Sequence, residues 1–347
     1  IALLTSKKKF EIIEKKITKK LNDDEVLVKI SGTGICGSDL HYFRYGALGT
    51  NAQRFPLSLG HETSAEIIDK NKSKFKNYSH VLIDPIDVSK CTTKIIKGMC
   101  RCGTKFNLCK HGTYLGASPT PGSFREYLII KKRQITILNK KIDPKFSSMI
   151  EPTGHAYYSV NRANVDYQKQ GKALILGSGT IGLLISSILK TKGLKDITIL
   201  DKNEYRLNLA KKKFGAKNII SQEFEDIKKN NGDPIENNYD YIFDLIVTNS
   251  SLDYGLKAVK SGGKYIIDGI PTTDYVSINP HKARTKEINL INVRRSNIEF
   301  PVVQNFIIKN SIPINSLVTH YFNLQDIQNG FNIAAEYKDN IIRGVIV

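Results

Sequence analysis

Cys36, His61 and Glu62 stand in the segments GICGSDLHYF and FPLSLGHET, and Gly177, Gly179 and Gly182 stand in LGSGTIG more than a hundred residues later. A thiolate, an imidazole and a carboxylate are ligand types that hold a catalytic zinc while leaving one position open. The glycine pattern follows an apolar run and opens a helical one, so it offers a backbone cradle for a pyrophosphate at a helix N-terminus. A Lewis acid for an alcohol oxygen and a carrier for its hydride together predict oxidation of an alcohol. Each pattern alone is weak, because a lone cysteine is usually a small buried hydrophobe. Their joint presence in this order is strong.

The first glycine of the fingerprint permits a tight turn, the second a close approach to the pyrophosphate, and the third close helix–strand packing; Thr180 and Ile181 complete the cradle. Asp201 closes the following apolar run, nineteen residues after Gly182. A carboxylate there accepts from the adenosine ribose hydroxyls and repels a 2′-phosphate, which predicts NAD over NADP. Lys202 and Arg206 temper that expectation, since cations welcome a phosphate.

A second group of metal-ligand type lies elsewhere. Of five cysteines, Cys91, Cys100, Cys102 and Cys109 fall within nineteen residues, separated by eight, one and six others. Clustered thiols suggest metal before disulfides in a reducing compartment. Two ligands at Cys100-Arg-Cys102 are unusually tight for one tetrahedron, so reduced thiols on a lobe held by packing stay open as the alternative.

These residues need scaffolds of two kinds. Up to about residue 150, short β-like runs (EVLVKISGTGI, TSAEIID, HVLIDPI, FREYLII) alternate with turns, and helical periodicity is poor. From about residue 153 the pattern becomes strand–helix: KALILG, TIGLLISSILKTKG, DITILD, EYRLNLAKKKFG, NIIS, YIFDLIV, LDYGLKAVKSGG, KYIIDGI and INLINV. That alternation predicts a doubly wound parallel sheet. FPVVQNFIIKN and LQDIQNGFNIAAEY read as helices, and GVIV as a last strand. The expected class is α/β, with a β-rich catalytic domain over 1–153 completed by 297–347 and a dinucleotide-binding domain over 154–296.

With 347 residues the chain exceeds what one core usually supports. No uncharged apolar run approaches the roughly 18 residues of a membrane span, and the apolar start precedes its lysines, the reverse of a secretory signal. The expected location is therefore cytoplasmic, with no membrane partner. The net charge is +19, from 52 Lys and Arg against 33 Asp and Glu. The lysines are scattered in pairs and triplets without interleaved aromatics, so a solvated basic surface is expected rather than a specific nucleic-acid partner.

The segments GICGSDLHYFRYGALG, PLSLGHE, EPTGHAYYSV, LGSGTIG and NVRRSN together resemble the zinc-dependent medium-chain alcohol dehydrogenases, and within them the sorbitol (L-iditol) and L-idonate 5-dehydrogenase branch. The resemblance implies a GroES-like catalytic domain, a Rossmann NAD-binding domain, and a homodimer or homotetramer. It puts zinc on Cys36 and His61, with Glu62 or Glu151 as third ligand, and Asp39 behind His61. Adjacent residues of an extended strand face oppositely, so His61 and Glu62 share a metal only where the backbone bends. The resemblance makes Ser38 and His41 a proton relay, with Glu151 orienting a water or exchanging with it. It places Tyr45 and Arg294 on polyol hydroxyls. The cysteine spacing departs from the family's structural-zinc lobe. Arg295, where that branch often has tyrosine, would suit a substrate carboxylate. The implied reaction moves a hydride from a secondary alcohol of a polyol or sugar acid to NAD. An L-threonine-type dehydrogenase is the alternative, and a basic nucleic-acid-binding zinc protein a remoter one.

Overall fold

The computed structural model describes residues 1–49, 51–68, 75, 80–92, 99–223 and 235–347. It divides into two compact units, one of Ile1–Gly154 with Asn297–Val347 and one of His155–Ser296.

The first unit is built on a mainly antiparallel sheet. Its strand order is Ile135–Ile137, His80–Ile83, Glu62–Ile67, Glu25–Gly34, Arg343–Ile346 and Val318–Phe322, with Tyr127–Lys131 also paired to Glu25–Gly34. Alternating apolar residues such as Val26, Val28, Ala65, Ile67, Val81 and Ile83 bury one face of this sheet. The apolar start forms a hairpin of Ala2–Ser6 and Lys9–Ile12. Its Phe10 stacks on Phe43 at 5.9 Å and packs on Phe331 at 4.6 Å. That cluster fixes the helix Gly37–Tyr45, which buries Asp39, Leu40, Tyr42 and Phe43.

This helix stands in a region where the sequence shows poor helical periodicity. It forms because the Asp39 carboxylate accepts the Cys36 N–H at 3.0 Å, closing the first turn, while Gly46 ends it at φ 73°. Glu151 likewise sits on an unforeseen helix, Ile150–Ala163, with a proline in its first turn.

The second unit carries six parallel strands in the order Asn218–Ser221, Asp196–Asp201, Lys172–Leu176, Tyr239–Asp244, Val259–Ile267 and Asn289–Asn292. In chain order this is 3-2-1-4-5-6, the doubly wound dinucleotide arrangement. The expected helix ending in KSGG stops at Ala258 instead, and Val259 already belongs to the fifth strand. A β-branched residue followed by Ser261, Gly262 and Gly263 cannot extend a helix favourably. Among the described residues, no helix is long and apolar enough to cross a membrane.

Candidate metal centre and active site

Cys36 caps the Gly37–Tyr45 helix, and His61 and Glu62 lie at the start of the Glu62–Ile67 strand. Ligand atoms of Cys36, His61 and Glu62 all lie within 4.8 Å of one another. The bend that makes this possible is at Gly60, whose φ of 96° suits glycine. Strand pairing then begins only at Glu62, opposite Gly34, so strict alternation does not bind His61. Gly34 is itself required, because a Cβ there would sit 2.2 Å from Glu62 Oε2.

His61 and Glu62 are buried, at 6 % and 1 % exposure. Asp39 stands behind the imidazole, its Oδ1 3.7 Å from His61 Nδ1 and accepting the Gly60 N–H at 3.3 Å. Burial alone would depress the His61 imidazole, but Asp39, helped by Cys36 and Glu151, outweighs it and lifts the ring to about 10. Burial also raises Asp39 against the pull of His61. The pair thus holds its proton in the metal-free chain. Both Glu62 oxygens are buried without a hydrogen-bond partner, although Arg343 Nη1 lies 3.2 Å from Oε1. A thiol, an imidazole and a carboxylate with unused lone pairs fit a zinc ion chemically.

Arg343 was not foreseen. It is buried, donates to the Ile35 carbonyl, and remains charged because Glu62 and Cys36 offset its burial. Its sequence signal is a single cation inside the apolar run IIRGVIV. Tyr114 was also missed; its ring lies 5.3 Å from that of His61, and its hydroxyl donates to Glu151 Oε1 at 3.3 Å. Glu151 is not among the three gathered ligands.

Ser38, His41 and Tyr45 follow at helical spacing along one side of the Gly37–Tyr45 helix, away from buried Asp39 and Phe43. His41 and Tyr45 meet edge to face at 5.8 Å, and Tyr45 is 46 % exposed. Burial and then Arg44 lower the His41 imidazole, favouring its neutral form.

The cysteine loop gathers Cys91, Cys100 and Cys109, again within 4.8 Å. Cys102 is outside that set; its Sγ lies 3.7 Å from Cys109 Sγ and 3.1 Å from Thr104 Oγ1. Burial pushes Cys100 up, whereas the Thr104 hydroxyl and N–H lower Cys102. The insertion between Cys91 and Cys100 lies, over 93–98, outside the described residues.

In the second unit, a Cβ on Gly182 would meet the Gly177 carbonyl at 2.0 Å, whereas one on Gly179 would meet nothing. That is the close packing and the open cradle a pyrophosphate needs. Thr180 and Ile181 open the Thr180–Thr191 helix there. Asp201 Oδ2 accepts the Ser178 N–H at 2.6 Å and Oδ1 the Asn203 N–H at 2.9 Å, which ties the strand end to the fingerprint. Lys202 pairs with Glu223 at 3.1 Å, and Arg206 is buried on the Glu204–Lys213 helix. Beyond the last strand, Arg294 is exposed and Arg295 half-buried at φ 54°.

The alcohol dehydrogenase GroES-like domain family matches residues 22–140, and the zinc-binding dehydrogenase family matches residues 180–309. The chain belongs to the zinc-dependent medium-chain alcohol dehydrogenase family. It is 27% identical to the sorbitol dehydrogenase of Bacillus subtilis over 333 residues, 94% of this chain and 91% of that one. It is 28% identical to the L-idonate 5-dehydrogenase of Vitis vinifera over 93% of this chain and 88% of that one. It is also 28% identical to an L-threonine 3-dehydrogenase of Bacillus velezensis, over 90% and 89%. The fold matches that of L-idonate 5-dehydrogenase from Escherichia coli, with TM-score 0.84, 23% identity, and 100% and 97% coverage. A short chain alcohol dehydrogenase from Escherichia coli CFT073, complexed with cofactor NADH, superposes with TM-score 0.80 at 23% identity, covering 100% of this chain and 98% of that one. This dehydrogenase therefore carries both halves of the family's equipment, a metal centre and a dinucleotide fold.

Proposed function

We propose that this dehydrogenase holds zinc on Cys36, His61 and Glu62 and oxidises a secondary alcohol of a polyol or sugar acid with NAD. The observation that carries the reading is the convergence of those three ligand atoms to within 4.8 Å of one another, with His61 and Glu62 buried. When bound, zinc supplies a Lewis acid that makes a substrate hydroxyl acidic, and NAD takes up the hydride. Cys36 and Glu62 supply negative charge to the metal, and Asp39 fixes the His61 tautomer. Arg343 holds Glu62 in place. Ser38 Oγ receives the proton released by the substrate, and the neutral His41 ring, one turn along the same helix, carries it onward. Glu151, held by the Tyr114 hydroxyl, orients a water beside the metal.

The free lone pairs of the Asp201 carboxylate receive the adenosine ribose hydroxyls. Pairing of Lys202 with Glu223 supports NAD over NADP, since that cation is already directed elsewhere. Tyr45, one helical turn beyond His41, is suited to grip a substrate hydroxyl, as is Arg294. Arg295 occupies a left-handed backbone region that costs on the order of 1–3 kcal/mol for such a residue, a strain that clusters at ligand sites. Its guanidinium suits a carboxylate, which favours an aldonate.

The test is a panel of sorbitol, aldonates and threonine, read by NADH absorbance with NAD and NADP. Highest kcat/KM is expected for a polyol or aldonate with NAD. Arg295→Ala should lower kcat/KM for the aldonate by more than about tenfold and leave sorbitol nearly unchanged. A wild type that prefers threonine, as the similarity to threonine dehydrogenases allows, would replace the polyol reading with an amino-alcohol one.

A further inference from the structure

Two aspartates end neighbouring strands of the parallel sheet, and only one of them is fully partnered. Asp244, at the end of the fourth strand, accepts from the N–H groups of Ile246 and Val247 and from the hydroxyls of Ser251 and Tyr265. It is a structural knot. Asp268, just past the fifth strand, is 8 % exposed, yet its side chain has a single partner, the His155 imidazole at 2.6 Å from Oδ1. Its Oδ2 is buried with no hydrogen-bond partner among the described residues. A bare carboxylate oxygen in such a place is costly unless a donor arrives.

The topology says which donor. In the 3-2-1-4-5-6 order, strands 1 to 3 take the adenosine half of a dinucleotide and strands 4 to 6 its second mononucleotide, at their carboxyl ends. Asp268 is at that edge of strand 5. His155 lies on the Ile150–Ala163 helix, four residues and so one turn after Glu151. The second mononucleotide carries the nicotinamide ring. Its amide hangs from the carbon beside the one that accepts hydride, and that amide is a donor.

We infer that Asp268, oriented by His155, binds the carboxamide N–H of the nicotinamide. The inference rests on NAD being the cofactor. It has a second consequence, because the oxidised ring is cationic and the reduced ring neutral. A carboxylate at this distance therefore tightens NAD+ relative to NADH.

Binding measurements test it without turnover, by titrating NAD+, NADH, ADP-ribose and 3-acetylpyridine adenine dinucleotide, whose methyl ketone lacks the amide donor. Wild type should bind NAD+ at least about tenfold more tightly than the acetylpyridine analogue. In Asp268→Ala that difference should vanish while ADP-ribose binds as before. Equal weakening of both dinucleotides in this variant, or a wild type that does not distinguish them, would overturn the inference. If Asp268→Ala loses ADP-ribose binding and so its fold, Asp268→Asn keeps the volume and the contact with His155. That variant should shift the NAD+ to NADH affinity ratio toward NADH by roughly fivefold or more, and an unchanged ratio overturns the assignment. A wild type that binds neither ADP-ribose nor NAD+ removes the cofactor reading itself.

Discussion

The chain gathers ligand-type side chains in two places, and the two are built very differently. Around Cys36, His61 and Glu62, a helix start, a glycine bend and a strand register each fix one ligand, and Asp39 and Arg343 brace two of them from behind. Around Cys91, Cys100 and Cys109, the described residues include a 3-10 turn at Phe106–Leu108, and of the three thiols only Cys100 is buried. The first site has charged groups aimed at it from distant elements, while the described part of the second packs on the apolar side chains of Ile86, Val88, Phe106 and Tyr114. Residue type says that both can hold a metal. Among the described residues, the first is the more heavily braced by charge.

The sharpest way to break this contrast is to remove ligands from the first site. Cys36→Ser or His61→Ala should lower kcat/KM by at least about a thousandfold, the worth of a metal ion to the reaction, and take one zinc per chain with it. Near-normal turnover with either substitution would leave the braced site without a role.

A smaller effect is expected from Gly34→Ala. The added methyl would meet Glu62 Oε2, so the catalytic zinc should bind about 10–100-fold more weakly. Metal analysis under limiting chelator should show one zinc lost and the other retained. Loss of both together would mean that the two sites are not independent.

On the other side of the comparison, Cys100→Ser/Cys109→Ser should lower the metal content from two zinc to one. It should reduce Tm by several degrees, since structural zinc adds directly to folding free energy, and leave kcat of the folded enzyme within about threefold. One zinc per wild-type chain with four titratable loop thiols would favour a lobe held by packing alone.

The smallest effect is a count of protons. His61 is raised to about 10 in the metal-free chain, so at pH 8 its ring is charged and zinc must displace that proton. The sign follows: affinity rises with pH until the imidazole is neutral, by about tenfold per unit for each proton released. Calorimetry at pH 8 in two buffers of different ionisation enthalpy should show the His61 proton released as zinc binds, at least about one proton per zinc at the first site. Fewer than one would show that Asp39 does not hold the ring charged.

Much of this was legible in the chain. The six parallel strands announce themselves as short apolar runs between helices, because strands buried on both faces need no alternation. Cys36, His61, Glu62 and the fingerprint are readable from residue type and spacing. The Gly37–Tyr45 helix was not, since Gly-Ser-Asp reads as a turn and nine residues give too few periods to show a face. Arg343 was hidden for another reason. Its partner Glu62 lies in the first fifth of the chain, and it is the pairing of both strands with Glu25–Gly34 that brings the two residues together. Sequence spacing carries no information about such a contact.

That same pairing sets a timetable. The parallel-sheet unit is one continuous stretch, so all its strands are available once residue 296 has been made. The other unit is interrupted, and the strand Arg343–Ile346 that delivers Arg343 to Glu62 is translated after the whole of the parallel-sheet unit. On the ribosome the dinucleotide fold therefore has a head start, while the metal pocket stays open until its long-range strand arrives. The neighbourhood of Cys36, His61 and Glu62 is therefore completed only after the whole of the parallel-sheet unit has been made.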